Sequence, residues 1–156
     1  MISYRLATDQ DLPAVADLRW RLETYDRPTC DEAERLGFVG DFVDLAQADP
    51  RASDVFHWVG WENGRLVGAM TVILVHKVPK PSELDRRWGY LTNCYVLPEN
   101  RDQGVGASLL AAITSWATEL GLEMLVVWPS DRAYSFYERA GFSRGADPLV
   151  LEIAPR

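Results

Sequence analysis

Apolar and polar positions alternate over residues 2–6, the period of a strand with one buried face. Thr8-Asp9-Gln10-Asp11 then supplies helix-start chemistry, and Leu12, Val15, Ala16, Arg19 and Leu22 recur at helical spacing through about Tyr25. Pro13 is tolerated only in a first turn, which sets the helix start close to Asp11. Residues 26–29 break the pattern. A second helical stretch covers 31–47, where Gly37 and Gly40 leave room for a division into two pieces. Residues 55–61 and 65–75 are β-rich and flank Asn63-Gly64, a strong hairpin signal. An exposed loop is expected at 79–82 and a further strand at 88–96. Leu109, Leu110, Ile113, Trp116, Ala117 and Leu120 form the apolar face of a helix over 108–120, closed by Gly121. Residues 123–128 read as a short strand too apolar to be exposed. Ser130 is a good N-cap, Ala133, Phe136, Tyr137 and Ala140 share a helical face, and Gly141 with Phe142 predicts a Schellman-type stop. Final strands are expected at 143–144 and 149–153, joined through 145–148.

This order predicts an α/β (α+β) fold with a single mixed, mostly antiparallel central sheet and helices on both faces. The 156 residues suit one domain spanning the chain, and 47% hydrophobic with 25% charged residues is ordinary for a globular protein. No apolar run reaches the length of a membrane span, and the first residues lack the apolar core of a secretory signal, so a cytoplasmic protein is expected. Cys30 and Cys94 have no metal-ligand or disulfide spacing, and no metal is expected. A net charge of −7 argues against a nucleic-acid partner and suits a cationic small molecule or peptide.

The chemistry concentrates between the 88–96 strand and the helix that follows it. There Arg101-Asp102-Gln103-Gly104-Val105-Gly106 sets Arg-x-x-Gly-x-Gly at a strand-to-helix junction. Main-chain amides, a helix dipole and the absence of a Cβ make such a junction an anion cradle. The spacing is neither the dinucleotide fingerprint nor a P-loop.

Together with the later Ala133-Tyr134-Ser135-Phe136-Tyr137-Glu138-Arg139-Ala140-Gly141-Phe142, this loop resembles the GCN5-related N-acetyltransferase (GNAT) superfamily. The likeness is strong over residues 88–143. It implies an acyl-CoA N-acyltransferase fold, an acyltransferase activity and acetyl-CoA as acyl donor. It places the CoA pyrophosphate on Arg101, Gln103, Gly104, Val105, Gly106, Ala107 and Ser108. Pantetheine then lies along the backbone of Tyr95 and Val96, near Ser130 and Ala133. Many members carry Asn where this chain has Ser130.

Acetyl transfer also needs an acid for the leaving thiolate and a base for the amine. The resemblance points to Tyr137 as the acid. Base candidates are Asn93 and Tyr95 acting through water, Glu23, Asp26 and His76; His57 and His76 are the two histidines and also read as strand residues. Tyr90, Trp88, Trp58 and Trp61 are candidates for an acceptor pocket. Acceptor recognition is expected from residues 21–44, 79–85 and 145–148. No nucleophilic triad is in evidence, so direct attack on the thioester is expected. The acceptor is expected to be the amine of a small molecule or peptide, with no nucleic-acid or membrane partner; hydrophobic strand edges leave a homodimer open. The alternatives are an inactive acyl-CoA-binding sensor or interaction module, and a nucleotide-binding domain using the same cradle.

Overall fold

The computed structural model describes residues 1–27, 31–145 and 148–153. Its elements are β1 (Ser3–Leu6), α1 (Leu12–Glu23), α2 (Glu32–Ala48), β2 (Val55–Glu62), β3 (Arg65–His76), β4 (Arg87–Val96), α3 (Val105–Glu119), β5 (Leu125–Val127) and α4 (Tyr134–Arg139), with short 3-10 turns between several of them. The five strands form one sheet in the order β1-β2-β3-β4-β5, antiparallel except for the parallel β4–β5 pair.

Each face of the sheet carries its own core. On one side, Leu109, Leu110 and Ile113 of α3 and Tyr137 of α4 pack on Met70, Val72 and Leu91. On the other, Val15 and Leu18 of α1 meet Val59, Leu66, Ala69 and Tyr95. The two helical faces read from the sequence are therefore the buried ones. Pro13 sits in the first turn of α1. Asn63 and Gly64 take positive φ in the β2–β3 turn, as a two-residue hairpin loop requires.

α4 ends in the expected Schellman geometry. Phe142 N–H donates to Tyr137 O at 3.1 Å, Gly141 N–H to Glu138 O at 3.0 Å, and the Phe142 ring lies 5.4 Å from that of Tyr137. Gly141 supplies the required positive φ.

Four expectations are corrected. α2 is one continuous helix: Gly37 and Gly40 face open space, while Phe38 and Phe42 hold the helix in an aromatic chain from Trp20 to His57. Packing of one face outweighs the roughly 1 kcal/mol that each helical glycine costs. α3 begins at Val105, one turn earlier than its apolar face suggests, because Gly104 at φ 79° closes the loop. The helix at Ser130 opens as a 3-10 turn over Asp131–Ala133, and the Ser130 hydroxyl makes no capping bond. Residues 143–145 and 148–153 are not strands, and Leu149, Val150, Leu151 and Ile153 are exposed. β5 is only three residues long, and so short an edge gives their alternating pattern little to pair with. Pro28, Thr29, Cys30, Ala146 and Asp147 lie outside the described residues.

Candidate active site

β4 outruns β5. The two strands pair only over Gly89–Leu91 with Leu125–Val127, so residues 92–96 keep an open side where the sheet splays. The splay begins at a bulge: β3 Ala69 faces Tyr95 while Thr71 faces Thr92, giving β4 one extra residue, and Asn93 has φ 52°. The extra residue turns both Thr92 and Asn93 toward the α1–α2 side, and it sends Cys94 and Val96 to the α3–α4 side.

The open strand leads into the glycine loop. Asp102 and Gly104 both take left-handed backbone, which wraps the chain so that α3 starts beside the end of β4. Ser108 N–H donates to Gly104 O within α3, so the amides of Gly104, Val105, Gly106 and Ala107 are those left without an intrahelical carbonyl. The Ser108 amide is thus engaged within the helix. The Val105 side chain is buried, and a Cβ on Gly106 would stand 3.3 Å from the Phe136 ring, which explains glycine there.

Arg101 is an exposed clamp. Its Nε donates to Val96 O at 3.1 Å, and its guanidinium lies 5.5 Å from the Tyr95 ring and 5.7 Å from that of Tyr25. Gln103 Nε2 similarly donates to Glu99 O at 2.8 Å. Both side chains thus brace the loop through main-chain oxygens. The guanidinium of Arg132, next to Ala133, lies 5.9 Å from the Tyr25 ring as well.

Tyr137 is 5% exposed, and its hydroxyl lies against the Cys94 thiol on the open stretch of β4. Burial, with the thiol beside it, pushes the phenol well above its ordinary value, and burial likewise raises Cys94. The phenol therefore stays protonated throughout the physiological range.

On the opposite face, a cavity of about 740 Å³ opens between α1, α2 and the strands, within the range of small-molecule sites. Of the four aromatics considered from sequence, Tyr90 lines it; Trp58 is buried against Trp116, Trp61 lies under Arg5, and Trp88 is half-buried opposite Val75 of β3. Thr92 and Asn93 bring the cavity to the bulge of β4. His57 and Thr71 form its polar floor, with His57 Nδ1 2.8 Å from Thr71 Oγ1 and Asn93 Nδ2 donating to the same oxygen at 3.2 Å. Burial depresses the His57 pKa below 6.5.

The other base candidates stand apart. His76 is exposed and bonded to Asp54 at 3.0 Å, Glu23 is paired with Arg19 at 2.8 Å, and Tyr95 is buried beneath Arg101. Asp26 is exposed. His57 gained its significance from β2–β3 register, a signal absent from its local sequence, where it reads as an ordinary strand residue.

A splayed parallel strand pair ending on free helix amides defines a CoA-dependent acyltransferase fold. The chain belongs to the acetyltransferase (GNAT) family, whose profile matches residues 12–142. Among solved structures, it is similar to one described as a predicted acetyltransferase with acetyl-CoA from Clostridium acetobutylicum, at 20% identity and TM-score 0.74, covering 98% of this chain and 97% of that one. A GCN5-related N-acetyltransferase from Ralstonia eutropha JMP134 matches at 22% identity and TM-score 0.72, over 99% and 100% of the two chains. Glucosamine-6-phosphate N-acetyltransferase from Arabidopsis thaliana matches at 14% identity and TM-score 0.68, over 99% of each. No curated protein matches. No helix among the described residues is long and apolar enough to cross a membrane.

Proposed function

We propose that the protein moves an acetyl group from acetyl-CoA to a primary amine of a small molecule or peptide by direct attack. The observation that carries this reading is the conjunction at residues 92–96: an unpaired strand edge, four free amides at one end and the Tyr137 hydroxyl beside its middle. The pantetheine amides pair with the open backbone of Tyr95 and Val96, and the pyrophosphate rests on the amides at 104–107, where the α3 dipole adds positive potential. Ser130 and Ala133 border the far wall of the cleft.

The amine nitrogen attacks the thioester carbonyl carbon from the cavity side, and the oxyanion is met by main-chain N–H on the bulged strand. The C–N bond forms, the C–S bond breaks, and Tyr137 gives its proton to the departing sulfur. A phenol held above its usual pKa is a weak acid toward a thiolate, so transfer is coupled to C–S cleavage and does not precede it. An open cavity reaching the same strand favours turnover over the alternative of a binding module without chemistry. The test is acetyl-CoA-dependent thiol release with a panel of amines. Release that no amine accelerates would overturn the reading.

A further inference from the structure

The cavity on the α1–α2 face has a composition that the acetyl-transfer reading leaves unexplained. Its walls are apolar, with Leu12, Phe42, Leu45, Ile73 and Tyr90 among them. Its charges are few and mostly engaged. Arg19, the cation of the set, is paired with Glu23 at 2.8 Å, and Asp49 is held by Arg51 at 2.7 Å; Asp9 sits exposed at the rim. A phosphorylated acceptor would find no free cluster of cations there. A polyamine would find a single uncommitted carboxylate for several ammonium groups. An apolar body is matched by the walls, gaining about 25 cal/mol for each Å² removed from water.

The floor carries one neutral nitrogen base. Thr71, 4% exposed, joins His57 Nδ1 to Asn93 Nδ2, and Asn93 Oδ1 is buried without a partner. Thr71 Oγ1 has two lone pairs, so it can accept from Asn93 Nδ2 and from His57 Nδ1–H together. When His57 Nδ1–H also donates to Thr71 Oγ1, beside the Asn93 Nδ2 donor, His57 Nε2 carries the lone pair. The unpartnered Asn93 Oδ1 is an acceptor at the bulge, suited to receive an N–H of the entering amine. His57 is then a proton acceptor whose ring is held by Thr71 of the neighbouring strand.

We propose that this cavity takes a primary amine carried on an apolar, aromatic-sized body, and that His57 is the base that receives the proton from the attacking nitrogen. The inference rests on the acetyltransferase reading and names its acceptor class. An ammonium entering an apolar cavity is disfavoured by desolvation, so the amine arrives neutral. As its nitrogen bonds to the acetyl carbon, its surplus proton passes to His57 Nε2. The sulfur takes its proton from Tyr137, and the imidazolium and tyrosinate are reset through water. One N–H is lost and one S–H is gained.

The experiment measures thiol release from acetyl-CoA with 2-phenylethylamine, spermidine and glucosamine 6-phosphate, alongside calorimetry of CoA binding. Phenylethylamine is expected to have a kcat/KM at least about tenfold above the other two, the scale of discrimination set by apolar pocket contacts. His57→Gln is expected to lower kcat about 100-fold, with CoA affinity unchanged. It should also remove an acid limb of kcat lying below pH 6.5, as neutral His57 becomes protonated. The charged groups sharing the cavity are Asp9, Arg19 and Asp49, while β3 and β4 present only uncharged groups to His57. Imidazole should restore part of the activity of His57→Ala, which a merely structural histidine would not show. A preference for spermidine or the sugar phosphate, or a His57→Gln enzyme with wild-type kcat and pH profile, would overturn this inference while leaving acetyl transfer standing. Absence of CoA binding in the wild-type protein would remove both.

Discussion

Arg101 Nε donates to the main-chain oxygen of Val96 at 3.1 Å, tying the glycine loop to the last residue of the strand that feeds it. The same guanidinium covers Tyr95. Arginine here serves as a planar brace, a role lysine cannot fill because it lacks the fork and stacks poorly. Arg101→Lys should therefore weaken acetyl-CoA binding about tenfold, equivalent to about 1.4 kcal/mol. If Arg101 acted as a point charge toward pyrophosphate, lysine would retain most of the affinity. Calorimetry of both proteins at two salt concentrations separates the roles, since a bracing effect persists at high salt.

Tyr137→Phe removes a hydroxyl and keeps the ring that packs against Phe136 and Phe142. Turnover is expected to fall about 100-fold or more while acetyl-CoA affinity changes little. Because burial raises the phenol, it stays protonated as pH climbs, and wild-type kcat should show no alkaline loss from tyrosine ionisation up to about pH 10. A pH–rate profile with saturating amine checks this.

Gly89 sits where β4 pairs with β5, and a Cβ there would stand 2.7 Å from Leu125 Cδ2 and 2.8 Å from Val72 Cγ1. Gly89→Ala must push β5 away or strain the core, at a cost of about 1–3 kcal/mol. Urea denaturation should show that loss. Donor affinity should fall with it, because the open stretch of β4 proposed to receive pantetheine begins three residues later.

Asp11 is nearly buried and takes two bonds from Arg5, at 2.7 and 3.1 Å, plus one from Thr8 N–H at 2.7 Å. The Arg5 bonds and then the Thr8 contacts outweigh burial and lower its pKa from 3.8 to about 2. A carboxylate with a depressed folded pKa stabilises fully above its unfolded value and loses that contribution as pH falls through the folded one. Asp11→Asn should thus cost about 1–2 kcal/mol near pH 7, the upper end being reduced because Arg5 is partly solvated. The gap between the two proteins should close between pH 4 and pH 2, which melting curves across that range would show.

Local pattern determined much of this molecule. The buried faces of α1 and α3, the Asn63-Gly64 turn, the Schellman stop at Gly141 and the amide-lined junction at residues 104–107 each depend on neighbours within a few residues, so periodicity and turn chemistry display them directly. The length of α2 was settled elsewhere, by Phe38 and Phe42 packing on Trp20 and His57, and the expected terminal strands failed because β5 offers only three residues of edge. The face proposed for the acceptor belongs wholly to tertiary structure. One extra residue in β4 turns Thr92 and Asn93 to the same side, against the simple alternation that the sequence displays. His57, Thr71 and Asn93 then meet across three strands, separated by 14 and 22 residues of chain. Burial period is a local property and can be read along the chain, whereas strand register is fixed by the packing of the whole sheet.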